Sequence, residues 1–169
     1  MTNISILKGD ITRVEADAVV NAANTSLLGG GGVDGAIHIA AGPELLEECK
    51  HLHGCETGKA KLTPAYQLPA KYIIHTPGPV WEGGKNSEVT LLYNSYHNSL
   101  VLAKDNSVRT IAFPNISTGV YGFPKDKAAM VALFSVNQFC REYPDTLDEV
   151  IFVCYDDENY NIYKDILGK

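Results

Sequence analysis

Short runs of β-branched and apolar residues alternate along this chain with longer stretches of helical period, and that alternation restricts it to βα units around a mostly parallel or mixed sheet. Strands are predicted over 4–7, 18–21, 72–75, 110–113 and 150–154, with a weaker one over 60–65. Apolar positions recur with helical spacing at Val89, Leu92, Tyr93, Tyr96, Leu100 and Ala103. They recur again at Ala128, Val131, Ala132, Val136 and Phe139, in a helix that opens with Pro124 in its first turn and is stopped by Pro144. A further helix is predicted over 157–167, and Gly42-Pro43 divides an earlier segment into two short helices, 33–41 and 44–52. No repeat or linker interrupts the pattern, and 169 residues at 45% apolar composition suit one α/β domain over 1–169.

Charge narrows the partners. With 14 Lys and Arg against 20 Asp and Glu, the net charge of −6 leaves no broad basic face of the kind that duplex nucleic acid requires. The N-terminal MTNISILKGD lacks the basic and apolar regions of a secretion signal, and no run is long and apolar enough to span a membrane. A cytoplasmic protein without nucleic-acid or membrane partners is the expectation, and a monomer, since no exposed apolar face is evident. Cys49, Cys55, Cys140 and Cys154 are too few for a disulfide scaffold and suit a reducing compartment. In "CKHLHGC", Cys49, His51, His53 and Cys55 alternate unlike the ligands of structural zinc sites, and the segment reads as a helix end closed by Gly54, with no metal.

Ligands of open α/β sheets bind beyond the carboxyl ends of the strands, so the segments after each strand carry the functional argument. Two are glycine-rich. "NAANTSLLGGGGVDGAIHIAAG" joins a strand to a helix through glycines 29–32, and "PNISTGVYGFP" supplies Ser117, Thr118, Gly119 and Gly122 after a second strand. Converging backbone amides at such turns hold phosphate, and two of them suggest a diphosphate. The first loop has no Gly-Lys-Ser/Thr, which excludes a Walker A motif. Gly30, Gly32 and Gly35 match G-x-G-x-x-G, but the region about 20 residues on, where that motif expects a ribose-binding acid at a strand end, reads as the helix ELLEECKHLH. The match is therefore incidental, and a nicotinamide-cofactor oxidoreductase is disfavoured.

Asp34 stands where a phosphate loop should avoid an anion. It either caps or complements the helix start, or orients and deprotonates a water beside the ligand. His38 lies one helical turn on, positioned to bond Asp34 or the ligand. Asn21 and Asn24 leave a strand end, where Asn makes Asx turns and is also suited to fixing a ribose hydroxyl. Asp10, in "KGDIT", caps the following turn with Thr12 or accepts from an adenine amino group.

Taken together, "GDIT", "DAVVNAAN", "LLGGGGVDGAIHIAAGPELLEEC", "TGKAKLTPAYQLPAKYIIHTPGPVW", "ISTGVYGFP" and "FVCYDDENYNIY" resemble the macrodomain family, specifically its MacroD-type branch, over nearly the whole chain. The resemblance implies a three-layer α/β/α fold with a central mixed, mostly parallel sheet. It implies an ADP-ribose cleft and hydrolysis of ADP-ribose esters, both mono-ADP-ribose on Asp or Glu of proteins and O-acetyl-ADP-ribose, with no cofactor. The alternative in the same family is a reader module that binds ADP-ribose without chemistry. Carried over by position, Asp10 and the Ile11 backbone would meet adenine, Asn24 the distal ribose, and Asp34 the attacking water, with His38 holding or tuning Asp34. Gly30, Gly31, Gly32 and Val33 would form the first diphosphate loop. Ser117, Thr118, Gly119, Val120, Tyr121 and Gly122 would form the second, with Tyr121 over the distal ribose and Tyr155 against the adenosine half. Pro77 and Asn115 depart from the family pattern.

Overall fold

The elements run β1 (Asn3–Lys8), a 3-10 turn (Ile11–Arg13), β2 (Ala18–Ala23), α1 (Gly32–Ala41), α2 (Pro43–Lys50) and β3 (Lys61–Pro64). They continue with β4 (Tyr72–Pro77), α3 (Glu88–Asp105), β5 (Thr110–Phe113), α4 (Lys125–Glu142), β6 (Glu149–Cys154) and α5 (Asp157–Leu167). This is a computed structural model that describes residues 1–168. One sheet has the order β1-β6-β5-β2-β4-β3, parallel throughout except for the edge strand β3, which runs against β4. The expected mixed, mostly parallel sheet is therefore the one observed.

Both faces of the sheet are covered, which is why the central strands are apolar without interruption. In β2, Val19 and Ala23 join Ile37 and Ala41 of α1 and Leu45 and Cys49 of α2 in one core. Ala18 and Val20 point the other way, onto a core formed by α3, α4 and α5. That second core is aromatic. Phe152 of β6 has its ring centroid 6.0 Å from Phe113 and 5.0 Å from Tyr163 of α5, and is fully buried. Removing it leaves a void between three elements, so Phe152→Ala is expected to cost about 3–5 kcal/mol of stability in a denaturant titration.

Element boundaries differ from the sequence reading by a few residues, each time for a local reason. β2 and β4 extend to Ala23 and Pro77 because they pair in register to their ends. α2 closes at Lys50 because His51 and Leu52 bond back to Glu48 and Cys49, and His53 and Gly54 take left-handed conformations. Pro124 precedes α4 as its N-cap, not as part of its first turn, and its carbonyl accepts from Ala128. Gly42 stops α1 at φ +93° as expected, but Pro43 is the first residue of α2 and not part of the break, because proline's missing N–H costs nothing there.

Candidate functional site

In a parallel sheet the carboxyl ends of all strands share one edge, so the order β1-β6-β5-β2 brings the segments after those strands into a row. At the β5–β2 end lies a cleft of about 360 Å³. One wall is Asn24 with the stretch from Gly30 to Asp34; the other is the second glycine-rich loop at Asn115, Ile116, Ser117, Gly119, Val120 and Tyr121. Ala22, Ala23 and Gly78 complete it.

The first wall is shaped by backbone that only glycine tolerates at certain points. Gly29 has φ +91°, and a Cβ on Gly35 would meet the Gly30 carbonyl oxygen at 2.5 Å, so α1 starts tight against its own loop. Asn24 closes the loop: its Nδ2 donates to the Gly29 carbonyl at 2.7 Å, and its Oδ1 accepts from the Leu27 amide at 3.0 Å and the Ser26 hydroxyl at 2.7 Å. The Asx-turn role is thus present, and what Asn24 keeps for a ribose hydroxyl is its second amide hydrogen.

Asp34 does not cap α1; the N-cap is Gly31, with no side-chain cap bond. The carboxylate is buried at 3% exposure, its Oδ1 accepts from Asn21 Nδ2 at 2.8 Å, and its Oδ2 has no partner among the described residues. Oδ2 lies toward the cleft wall, 3.2 Å from where a Gly30 Cβ would stand. A buried carboxylate oxygen without a donor is costly and calls for a function. His38 Nε2 sits 3.4 Å from Asp34 Oδ1, at ion-pair range but without hydrogen-bond geometry. Its ring is behind Gly29 and off the cleft wall. Asn21 corrects the sequence reading: it neither leaves the strand nor reaches toward a ribose, but is fully buried inside β2, bonded to Asp34 and His75.

The second wall is cut for close approach. Ser117 is left-handed at φ +67°, and its buried Oγ has no partner among the described residues. Gly78, from the segment after β4, makes this possible, because a Cβ there would lie 2.2 Å from Ser117 Oγ. The amides of Gly30, Gly31, Gly119, Val120 and Tyr121 donate to no other protein group among the described residues. Two sets of free N–H donors thus flank one cleft, an arrangement suited to an anion. Thr118 and Gly122 belong to this loop but not to its wall; Thr118 Oγ1 donates to the Asn115 carbonyl and Gly122 N to the Gly119 carbonyl.

Asp10, Ile11 and Tyr155 lie farther along the same edge, outside the cleft. Gly9 N donates to the Cys154 carbonyl at 3.0 Å, which ties the segment after β1 to that after β6. Asp10 Oδ1 accepts from the Thr12 hydroxyl and amide at 2.7 and 2.9 Å, bonds that hold its carboxyl below the usual range. Ile11 is buried beneath, and Tyr155 is 82% exposed at the end of β6. Sequence reasoning missed Ala22, Ala23, Gly78 and Ile116 as wall residues and saw Asn115 only as a departure. The signal available was the rule already applied to the other strands, since Gly78 directly follows β4.

A larger hollow of about 700 Å³ lies on the far side of the Asn24 turn, between Thr25 and the segment from His53 to Lys61. Lys61 Nζ donates there to the Leu52 and Gly54 carbonyls at 2.7 and 2.5 Å, pinning the turn after α2. The four side chains of "CKHLHGC" part company: Cys49 faces His75 in the core, while His51 Nδ1 pairs with the Glu47 carbonyl.

A loop behind the second wall is held by one carboxylate. Glu88, buried at the start of α3, accepts from the amides of Glu82, Gly84 and Asn86 at 2.8, 2.8 and 2.6 Å. Burial alone would raise its carboxyl, but these amide bonds outweigh it and hold it at about 2. The loop carries Trp81, whose amide donates to the Tyr121 carbonyl at 2.8 Å and whose ring packs on Phe123 at 4.7 Å. A carboxyl depressed from its ordinary 4.5 stabilises the loop above that value and releases it as pH falls toward 2. Since Trp81 is the only tryptophan, its emission is expected to change in acid over that interval. Glu88→Gln, which has one acceptor oxygen for three amides, is expected to show the changed emission already at neutral pH.

A family profile described as Macro domain matches residues 20–132. A Salmonella typhimurium protein named O-acetyl-ADP-ribose deacetylase is 52% identical, the alignment covering 98% of this chain and 94% of that one. Xenopus laevis ADP-ribose glycohydrolase MACROD2 is 56% identical over 95% of this chain, which corresponds to 39% of that larger protein. The crystal structure of a Trypanosoma brucei macrodomain in complex with ADP-ribose superposes with a TM-score of 0.93 at 45% identity, covering 98% of this chain and 69% of that one.

Proposed function

This chain belongs to the macro domain family, and from that premise we propose that it binds ADP-ribose in the cleft and hydrolyses ADP-ribose esters, both mono-ADP-ribose on Asp or Glu side chains and O-acetyl-ADP-ribose. The carrying observation is the partnerless Asp34 Oδ2 beside two walls of unpaired backbone amides. Neutral amides take up the diphosphate charge without a lysine or a metal, which leaves the carboxylate for chemistry instead of ion pairing. In this reading adenine lies over Asp10, Ile11 and Tyr155, the diphosphate between the loops, and the distal ribose between Asn24, Asp34 and Tyr121.

For mono-ADP-ribose on Asp or Glu, Asp34 Oδ2 in this reading accepts a hydrogen from a water and directs its oxygen at the anomeric carbon of the distal ribose. The bond from that carbon to the modified carboxylate breaks, the electron pair leaves with the carboxylate, and the water proton passes to Asp34. A carboxylate leaves readily, so no stronger acid is needed. His38 stands behind Asp34 at ion-pair range.

A de-modification assay on proteins carrying Glu-, Ser- or Arg-linked mono-ADP-ribose tests the proposal. Release from the Glu ester alone is expected, with calorimetry showing preference for ADP-ribose over NAD. Tight ADP-ribose binding with no release from any linkage would make the protein a reader and overturn the hydrolase reading.

A further inference from the structure

Asp34 is not held by the cleft. It is held from inside the sheet, by a chain of side chains that crosses three strands. The β2–β4 register sets Asn21 directly beside His75, and both side chains lie on the face that carries α1 and α2. Asn21 Nδ2 is 2.8 Å from Asp34 Oδ1 and 3.1 Å from His75 Nδ1. The amide can be oriented only one way, because the reverse would set Asn21 Oδ1 against the Asp34 carboxylate. Its two hydrogens are thus divided between Asp34 and His75. This makes His75 Nδ1 an acceptor and puts the ring proton on Nε2, which faces Thr63 Oγ1 of β3 at 2.9 Å, with Cys49 Sγ at 4.0 Å.

We propose that Asn21 and His75 are positioning residues for hydrolysis: Asn21 fixes Asp34 Oδ1 so that Oδ2 alone addresses the distal ribose, and His75 fixes Asn21. The proposal rests on the hydrolase reading above. A fixed acceptor has to stay uncharged, and His75 does. Burial, then the charge of His38, pushes it down to about 3. The titratable groups around Asp34 are His38 on its own helix, His75 on β4 and Cys49 on α2. Burial, and then the Asp34 and Glu48 charges, push the Cys49 thiol up to about 11. Neither His75 nor Cys49 therefore changes charge near neutrality.

The test uses His75→Leu, His75→Asn and Asn21→Asp, each assayed on a Glu-linked ADP-ribosyl protein and by ADP-ribose calorimetry. His75→Leu frees Asn21 to rotate and is expected to lower kcat about 10- to 100-fold with ADP-ribose affinity little changed. In His75→Asn the amide oxygen stands near the lost Nδ1, and most of kcat is expected to return. Asn21→Asp sets a second carboxylate against Asp34, and the pair retains a proton to higher pH, so the acid limb of kcat/KM is expected to move up by about one pH unit or more. A purely structural role would lower the melting temperature without separating Leu from Asn at position 75 or moving the acid limb. Equal kcat in the two position-75 variants, or an Asn21→Asp profile that overlays the wild type, overturns the proposal while leaving the hydrolase reading intact. A wild type without turnover overturns both.

Discussion

Replacing Asp34 with Ala is expected to lower kcat/KM on a Glu-linked ADP-ribosyl protein by about 100- to 10,000-fold, the range a positioned proton acceptor contributes, while ADP-ribose still binds. The two effects separate because the carboxylate and the diphosphate donors are different groups. On the proposed reading the donors are backbone amides that Ala leaves in place, and α1 does not use Asp34 as a cap. Removing a buried anion from beside an anionic ligand also removes repulsion, so affinity is expected to be equal or tighter. Asp34→Asn is the sharper companion. It retains an oxygen for Asn21 and hence the packing, yet it cannot take a proton from water. Single-turnover rates and calorimetry on both variants check this. Wild-type turnover in either would remove Asp34 from the chemistry, and loss of binding in both would mean the carboxylate holds the cleft together.

Gly78→Ala is the second large effect, and it falls on binding. ADP-ribose affinity is expected to drop about 10- to 100-fold, the loss of one or two charge-assisted hydrogen bonds. The new Cβ would stand 2.2 Å from Ser117 Oγ and 2.5 Å from Ile116 Cγ2, far inside van der Waals contact, so the second loop has to give way. The loop cannot simply slide back. It is tied through the Phe123 amide to the Ser117 carbonyl at 2.9 Å and through the Trp81 amide to the Tyr121 carbonyl at 2.8 Å. Ser117 already occupies a left-handed conformation, so the clash displaces it and the amides that follow. Gly9→Ala is the control: a Cβ there meets nothing within 4 Å, and the residue lies outside the cleft. Calorimetry should show a large loss at position 78 and little at position 9. Equal affinities would mean that the second loop does not bind the diphosphate.

The strands and helices were legible because their signals are local. Val19 and Val20 face opposite cores as a strand of period two requires, and Leu92, Tyr96 and Leu100 line one side of α3. Asp34 and His38 were legible as a pair for the same reason: four residues is one helical turn. Asp10 was legible too, since its cap on Thr12 spans two residues. Asn21 was misread because the side chains it serves are 13 and 54 positions away, and nothing nearby distinguishes an Asn inside a strand from one leaving it. Gly78 was missed on the same ground, since its partner Ser117 lies on another strand's loop.

By itself, then, the order of residues determined which segments are strands and helices, that two glycine-rich turns follow strands, and that an acid and a histidine share the first turns of one helix. Only the tertiary structure decided that Asp34 offers one oxygen and not two, that Asn24 keeps a single free hydrogen, and that Gly78 opens the second loop. The physical reason is reach. Periodicity and turn chemistry act over a few residues, whereas the orientation of a buried polar group depends on whichever donors the sheet register brings beside it, and register is set by the packing of the whole core.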